Sequence, residues 1–222
     1  MKVRKTRFEG VFRIGKKLAT ENLVPGVSVY GEKLIREGEK EYRIWDAWRS
    51  KPVAAIKKGI REFPVKRGFK ILYLGIASGT TASHFSDIIG KKGIIYGIEI
   101  SPRILRELMP VAEKRENISP ILADARKIEE FEFLILEKVD LIYCDVADPQ
   151  EIEIFLRNSE RFLKDNGYGM IAIKSRSIDV IKKPKEIYQE ARKKLEEVFE
   201  ILDFVRLDPF QADHGFFVLK KK

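Results

Sequence analysis

The stretch LYLGIASGTT, Leu72 to Thr81, sets two glycines and two threonines behind a strand-length apolar run. Gly75 falls where a strand would turn, and Gly79 precedes Thr80 and Thr81, which read as a helix start. Glycines let backbone N–H groups approach a ligand closely, and a helix N-terminus offers unpaired donors to an anion. Carboxylates then close the next three strand-like runs: Glu99, Asp124 and Asp145. Glu99, twenty-four residues beyond Gly75, stands where an acidic residue can accept both hydroxyls of a ribose. Asp124 could accept an adenine amino group. Asp145 ends the fourth strand beside the place where the strand order of such a sheet reverses. The set predicts a nucleoside pocket along the carboxyl edge of an open α/β sheet.

A dinucleotide site would use G-x-G-x-x-G, in which the second glycine lets the backbone reach a pyrophosphate. Here the spacing is G-x-x-x-G, with Ile76 and Ala77 after the first glycine. No second nucleotide half follows. One nucleoside with a small charged arm fits better, which points to S-adenosylmethionine, with Thr80 and Thr81 placed to hold its carboxylate. A nicotinamide oxidoreductase is disfavoured on the same grounds. No Cys/His spacing suited to a metal is present.

The elements that must carry these residues alternate from Lys70 onward. ILYLG, GIIYGIEI, ISPILAD, VDLIYCDV and YGMIAIKS read as strands, and helices follow most of them. Ser101 and Pro102 suit the cap and first turn of one helix, and the stretch after ISPILAD is irregular or helical. Mostly apolar strands of this kind predict a doubly wound, mostly parallel sheet buried between helices, with α/β class. FEILDFVRLD and HGFFVLKK close the chain as two strands too near in sequence for a parallel crossover, so they should be antiparallel and complete a seven-stranded sheet. Residues 1–55 differ: VFRIGKKLA, VSVYGEKLI and EYRIWDAW predict a small antiparallel β domain ahead of a main domain at 56–222. SKPVAAIKKGI reads as a helix with Ser50 as N-cap and Pro52 in the first turn. REFPVKRG reads as the joint.

The 222 residues carry a formal charge of +9, which favours a polyanionic partner, nucleic acid first; a lysine- and glutamate-rich surface without a partner is the plain alternative. The single cysteine, Cys144, excludes an internal disulfide. No cleavable signal pattern and no membrane-length apolar run is seen. A cytoplasmic protein without membrane attachment is expected.

Taken together, LYLGIASGTTASHFSDIIG, IYGIEISPR, ILADAR, YCDVADPQ, IAIKS, QADHGFFV and the N-terminal EYRIWDAWRSK resemble fibrillarin, in particular the archaeal form of this family of RNA 2′-O-methyltransferases. The resemblance covers nearly the whole chain. It implies the Rossmann-like methyltransferase fold and cofactor positions at Gly75, Ala77, Gly79, Thr80, Thr81, Glu99, Ile100, Asp124, Ala125, Asp145, Val146, Ala147 and Asp148. Three residues depart from the common family pattern: Ile76 stands for alanine, Ile100 for an aromatic and Asp148 for glutamine. Ile100 can still pack on adenine without ring stacking, and Asp148 adds charge at the pocket mouth.

The resemblance also implies a Lys–Asp–Lys set with a histidine, falling on Lys51, Asp145, Lys174 and His214. Lys174 ends the strand after MIAI and is expected to orient the 2′-hydroxyl, either as the base or as a cation beside the forming alkoxide. Asp145 is expected to hold Lys174 and the charged end of the cofactor, and Lys51 to meet a phosphate or the target ribose. His84 reads as packing or surface. Trp45 and Trp48 read as core or hinge packing rather than base-stacking residues. No sequence-reading RNA module is visible, so target choice is expected to be delegated. The implied partners are box C/D guide RNA with its target rRNA or tRNA, a Nop-type scaffold protein, a kink-turn-binding protein and a second copy meeting through the N-terminal domain. A non-catalytic RNA-binding or assembly protein and a small-molecule methyltransferase on the same fold are the competing readings.

Overall fold

Short alternating segments punctuated by glycine build the first of two sheets. The structure, a computed structural model, describes residues 2–222. Strands β1 (Val3–Lys5), β2 (Val11–Ile14), β3 (Lys17–Glu21), β4 (Leu34–Glu37) and β5 (Lys40–Trp45) pair antiparallel in the order β1-β2-β3-β5-β4. Helix α1 (Lys51–Lys57) follows, with Pro52 in its first turn; it runs across the 55/56 position. Ser50 is the N-cap residue, but its hydroxyl does not cap. It is taken by the Trp45 indole N–H at 2.9 Å and the Thr81 hydroxyl at 2.8 Å, two buried groups with a stronger claim on a partner than a helix end that can reach water.

The second sheet comprises β6 (Lys70–Leu74), β7 (Ile94–Glu99), β8 (Ile118–Leu122), β9 (Val139–Cys144), β10 (Leu163–Lys174), β11 (Phe199–Arg206) and β12 (His214–Lys221) in the order β11-β12-β10-β9-β6-β7-β8. The five strands from β6 to β10 are parallel, and β12 runs antiparallel to both β10 and β11. This is the expected doubly wound sheet. Helices α2 (Thr80–Ile89), α3 (Pro102–Lys114), α4 (Glu151–Phe162), α5 (Ser175–Ile178) and α6 (Pro184–Glu196) complete the chain. The irregular stretch after β8 holds two 3-10 turns. β10 begins at Leu163 rather than Tyr168: α4 passes straight into it, with a shift in register between those residues. Successive strands leave β6 in opposite directions, toward β7 and toward β9, so the strand order reverses at the carboxyl end of β6.

Apolar clusters cover both faces of the large sheet. Between the two sheets lies a charged bridge. Asp87 of α2 pairs with Arg43 of β5 at 2.9 Å and with Arg115 at 2.6 Å, and Arg43 also meets Glu32 at 2.6 Å; all four side chains are buried. Ser83 bonds Arg43, and Thr20 and the Leu23 N–H donate to Asp87. His84 is buried, with its ring nitrogens at 2.7 Å from the Thr20 hydroxyl and 2.8 Å from that of Tyr30 and its ring stacked on Trp45. Trp45 is therefore core, whereas Trp48 is 60% exposed and packs edge-on against Phe210. Among the described residues no helix is long and apolar enough to cross a membrane, and no group of three or more His, Cys, Asp or Glu could hold a metal ion.

Candidate active site

A cleft of about 230 Å³ opens at the switch point. Its walls come from the ends of β6, β7, β8 and β9: Gly75 and Ala77, Glu99 and Ile100, Asp124 and Ala125, and Asp145 through Asp148. These positions lie far apart in sequence, and the parallel register brings them to one rim. Gly79, Thr80 and Thr81 lie beside it at the start of α2 and do not line the cleft; the Thr81 hydroxyl is spent on Ser50. Arg126, which the sequence did not single out, is also in the wall.

The glycines have steric reasons. Gly75 holds φ +78, and a Cβ there would sit 2.8 Å from the Asp145 carbonyl oxygen. Gly79 caps α2 at φ +91, with Leu108 where its Cβ would be. Both conformations disfavour any L side chain.

The Glu99 carboxylate accepts from the Ala77 N–H at 3.1 Å and the Ser101 N–H at 2.9 Å, one per oxygen. Each oxygen keeps acceptor capacity for a ligand hydroxyl. Asp124 is chelated by Arg126, whose guanidinium hydrogen bonds hold that carboxyl below the usual range. Arg126 also approaches Asp148 at 3.6 Å and so links two carboxylates across the mouth. The charge that Asp148 adds there is answered by a neighbouring cation. Ile100, 59% exposed, offers an apolar surface over the same opening.

Lys51, Lys174 and His214 do not line the cleft; Asp145 does, and Lys51 pairs with it at 2.7 Å. The expected partner was Lys174; the helix start places Lys51 across from the end of β9, and that lysine takes the carboxylate. Tyr143 donates its hydroxyl to Asp145 at 3.1 Å. Burial, reinforced by the Asp145 charge, raises the Tyr143 phenol well above its usual value, so it remains a donor. Lys174 and His214 are directly opposite each other in the β10–β12 ladder, which puts both side chains on one face at the same strand end. Lys51, Asp145 and Lys174 all act electrostatically on the His214 ring, so the four residues form one neighbourhood.

Burial, and then the Lys51 and Lys174 charges, lower the His214 pKa against the opposing pull of the Ala212 carbonyl and Asp145, so the ring is neutral at pH 7. Its Nδ1 lies 2.7 Å from the Ala212 carbonyl oxygen. A carbonyl oxygen only accepts, so Nδ1 carries the proton and Nε2 keeps its lone pair. The sequence alone gave no access to this tautomer, nor to the roles of Tyr143 and Arg126.

The donor set discriminates among ligands. Four carboxylates, Glu99, Asp124, Asp145 and Asp148, with main-chain groups suit hydroxyls, an amino group and a positive charge, and would repel a pyrophosphate. The residues present therefore fit an adenosyl sulfonium.

Comparison with known proteins agrees. The family model described as Fibrillarin matches residues 2–222. The fibrillarin-like rRNA/tRNA 2′-O-methyltransferase of Pyrococcus abyssi is 52% identical over 226 residues, covering 100% of this chain and 99% of that protein. Among solved structures, the Methanococcus jannaschii fibrillarin, a pre-rRNA processing protein, superposes with TM-score 0.94 at 50% identity over 99% of this chain and 97% of its own. Aeropyrum pernix fibrillarin in complex with natively bound S-adenosyl-L-methionine gives 0.91 at 50% identity, over 99% and 98%. A fibrillarin/Nop5p complex gives 0.89 at 40% identity, over 98% and 100%. A single family model spans the described chain, and half of its positions recur along the whole length of such relatives: the chain belongs to the fibrillarin family.

Proposed function

We propose that this chain is an RNA 2′-O-methyltransferase, moving a methyl group from S-adenosylmethionine to ribose 2′-hydroxyls of ribosomal and transfer RNA in the cytoplasm. The observation that carries this is the paired Lys51 and Asp145, with the opposed Lys174 and His214 in the same neighbourhood, where Asp145 is also part of the wall of a carboxylate-lined cleft. Full-length kinship with 2′-O-methyltransferases supports it, and the intact set of basic residues weighs against a purely structural RNA-binding role.

When bound, S-adenosylmethionine supplies a methyl carbon made electrophilic by a positive sulfur. The chain supplies position and charge. Glu99 is placed for ribose hydroxyls, Asp124 with Ala125 and Ile100 for adenine, and Asp145 for the sulfonium arm; Thr80 and the main chain from Ala77 to Gly79 would hold the arm's carboxylate. Lys51 and Tyr143 fix the Asp145 carboxylate so that it does not rotate toward incoming RNA. Lys174 orients the 2′-hydroxyl and stabilises the negative charge that grows on its oxygen. Lys174 as a free amine or His214 can take the proton, and the tautomer set by Ala212 favours His214 Nε2. Holding the hydroxyl in line accounts for much of the rate gain.

Target choice is assigned to box C/D guide RNA, held with this enzyme by a Nop-type scaffold and a kink-turn-binding protein. The Nop5p complex of a relative supports the scaffold, and the charge of +9 supports an RNA partner. Residues 1–55, as a unit, are assigned the docking role. Self-association through them is the weaker use, because the edge strands carry Arg4 and Lys5 in β1 and Arg36 and Glu37 in β4, which discourage strand-to-strand pairing.

The decisive experiment is methyl transfer from labelled cofactor, with and without the assembled guide ribonucleoprotein. Transfer only at the guided nucleotide is expected, and equal transfer to bare RNA would refute delegated targeting. Thermal unfolding should rise with S-adenosylhomocysteine and not with NAD; no rise with the former removes the cofactor assignment. Gly75→Ala should weaken S-adenosylhomocysteine binding by about tenfold or more, since a Cβ at that φ costs on the order of 1–2 kcal/mol and pushes on the Asp145 carbonyl. Calorimetry showing unchanged affinity would place the cofactor elsewhere.

A further inference from the structure

Glu151 opens helix α4, yet it is fully buried, and neither carboxyl oxygen has a hydrogen-bond partner. An unpartnered buried carboxylate is among the most costly groups a fold can hold. Its surroundings are those of the reaction centre. Cys144 and Asp145 face it from the end of β9, Asp148 from the following loop, Lys51 from α1, and the Lys174 main-chain N–H from β10. That N–H occupies a special place. The β9–β10 ladder closes at Ile171↔Cys144, while β10 continues three residues to Lys174. Where β9 departs, the Lys174 N–H is near enough to the Glu151 carboxyl to act on its charge, yet short of hydrogen-bond geometry.

We infer that Glu151 is a positioning residue for methyl transfer: a carboxyl kept neutral, it backs the end of β10 beneath Lys174 and leaves Asp145 as the only anion among the reacting side chains. The inference rests on the methyltransferase reading above. Burial first, and then the Asp145 charge, push the Glu151 pKa to about 9, so the group holds its proton at pH 7. Ionised, it would compete with Asp145 for Lys51 and draw that cation from its place. As a neutral acid it offers one donor and remaining acceptor capacity without charge, as glutamine does.

Charge can be read without turnover. Carboxyl ¹³C NMR of the unliganded protein, with the Glu151 signal identified by its loss in Glu151→Gln, should show a protonated group at pH 7 that ionises near pH 9. A signal already ionised at pH 7 overturns the inference. The linkage sign follows. The folded pKa is raised, so the unfolded chain releases this proton first as pH rises, and the group costs stability from the ordinary glutamate range up to about 9. Glu151→Gln should therefore raise Tm at pH 8 and raise it less near pH 5; the opposite trend refutes a neutral carboxyl.

In the guided assay, Glu151→Leu should lower kcat by about 10–100-fold through misplacement of Lys174, with S-adenosylhomocysteine affinity changed by less than about threefold. Glu151→Gln should recover most of that loss. A Leu variant as fast as the parent, or a Gln variant as slow as Leu, refutes positioning by a neutral group. If the parent protein itself transfers no methyl in the assembled ribonucleoprotein, the proposed function falls, and NMR and Tm still decide the charge of Glu151.

Discussion

Lys174→Ala should reduce guided methyl transfer by about 10³-fold, equivalent to roughly 4 kcal/mol of transition-state stabilisation. The side chain ends β10 on the face shared with His214, and no other lysine stands in that register. In the proposed mechanism, alanine removes both the group that orients the hydroxyl and the cation beside the oxygen as it becomes negative. Cofactor affinity should hold within a few-fold, because the cleft walls are built from β6 to β9 and the loops after them. Lys51→Ala should behave differently. It frees a carboxylate that Tyr143 alone then holds, so both cofactor binding and rate should fall, each by a smaller factor. Single-turnover transfer with calorimetry on the same preparations separates the two. A Lys174→Ala enzyme retaining a tenth of the rate would shift the chemical role to His214, and His214→Ala would then become the damaging change.

The largest loss of stability is expected from Asp87→Ala. One buried carboxylate receives Arg43, Arg115 and the Thr20 hydroxyl, all out of water, and the half-buried Leu23 N–H. Removing one partner of a buried ion pair costs about 3–5 kcal/mol, because the other charge is left unpaired. For a chain of this size that corresponds to a fall in Tm of about 10 °C. Asp87→Asn keeps an acceptor oxygen and should lose less. Replacing Asp87, Arg43 and Arg115 together by apolar residues should recover part of the loss, since the cost lies in isolated charge rather than absent attraction. Thermal unfolding of these variants decides; an alanine variant within about 1 kcal/mol of the parent would mean that Arg43 and Arg115 reach solvent.

Much of the site was legible because period and punctuation are local. Each strand is an apolar run, and in parallel strands the residue that ends the run must lie at the same sheet edge. Glu99, Asp124 and Asp145 could therefore be placed together before any coordinates. The Lys51–Asp145 bond was hidden for the converse reason. Ninety-four residues separate the two, and nothing local to Lys51 says which strand end it faces. Asp87 and His84 sit in TASHFSDII, where Ser, His and Asp suggest a solvated side; the helix is buried nearly throughout because the small sheet packs over its polar face. In the sequence Glu151 is an acidic residue in a helix first turn, a common placement that marks no site. A signal was present, since Glu151, Phe155, Asn158 and Phe162 fall at helical spacing on one buried stripe. Arg126 gave only a two-residue separation from Asp124, too common a pattern to mark a clamp.

The bridge through Asp87 also bears on how the enzyme is aimed. Hinges need seams that slide or open at small cost, and a seam of desolvated guanidinium groups locked to one carboxylate does neither. The small sheet is thus a handle cast in one piece with the cutting edge, and whatever grips the handle dictates the angle of the blade. The two sheets turn together, and no flexing is required of the tool itself.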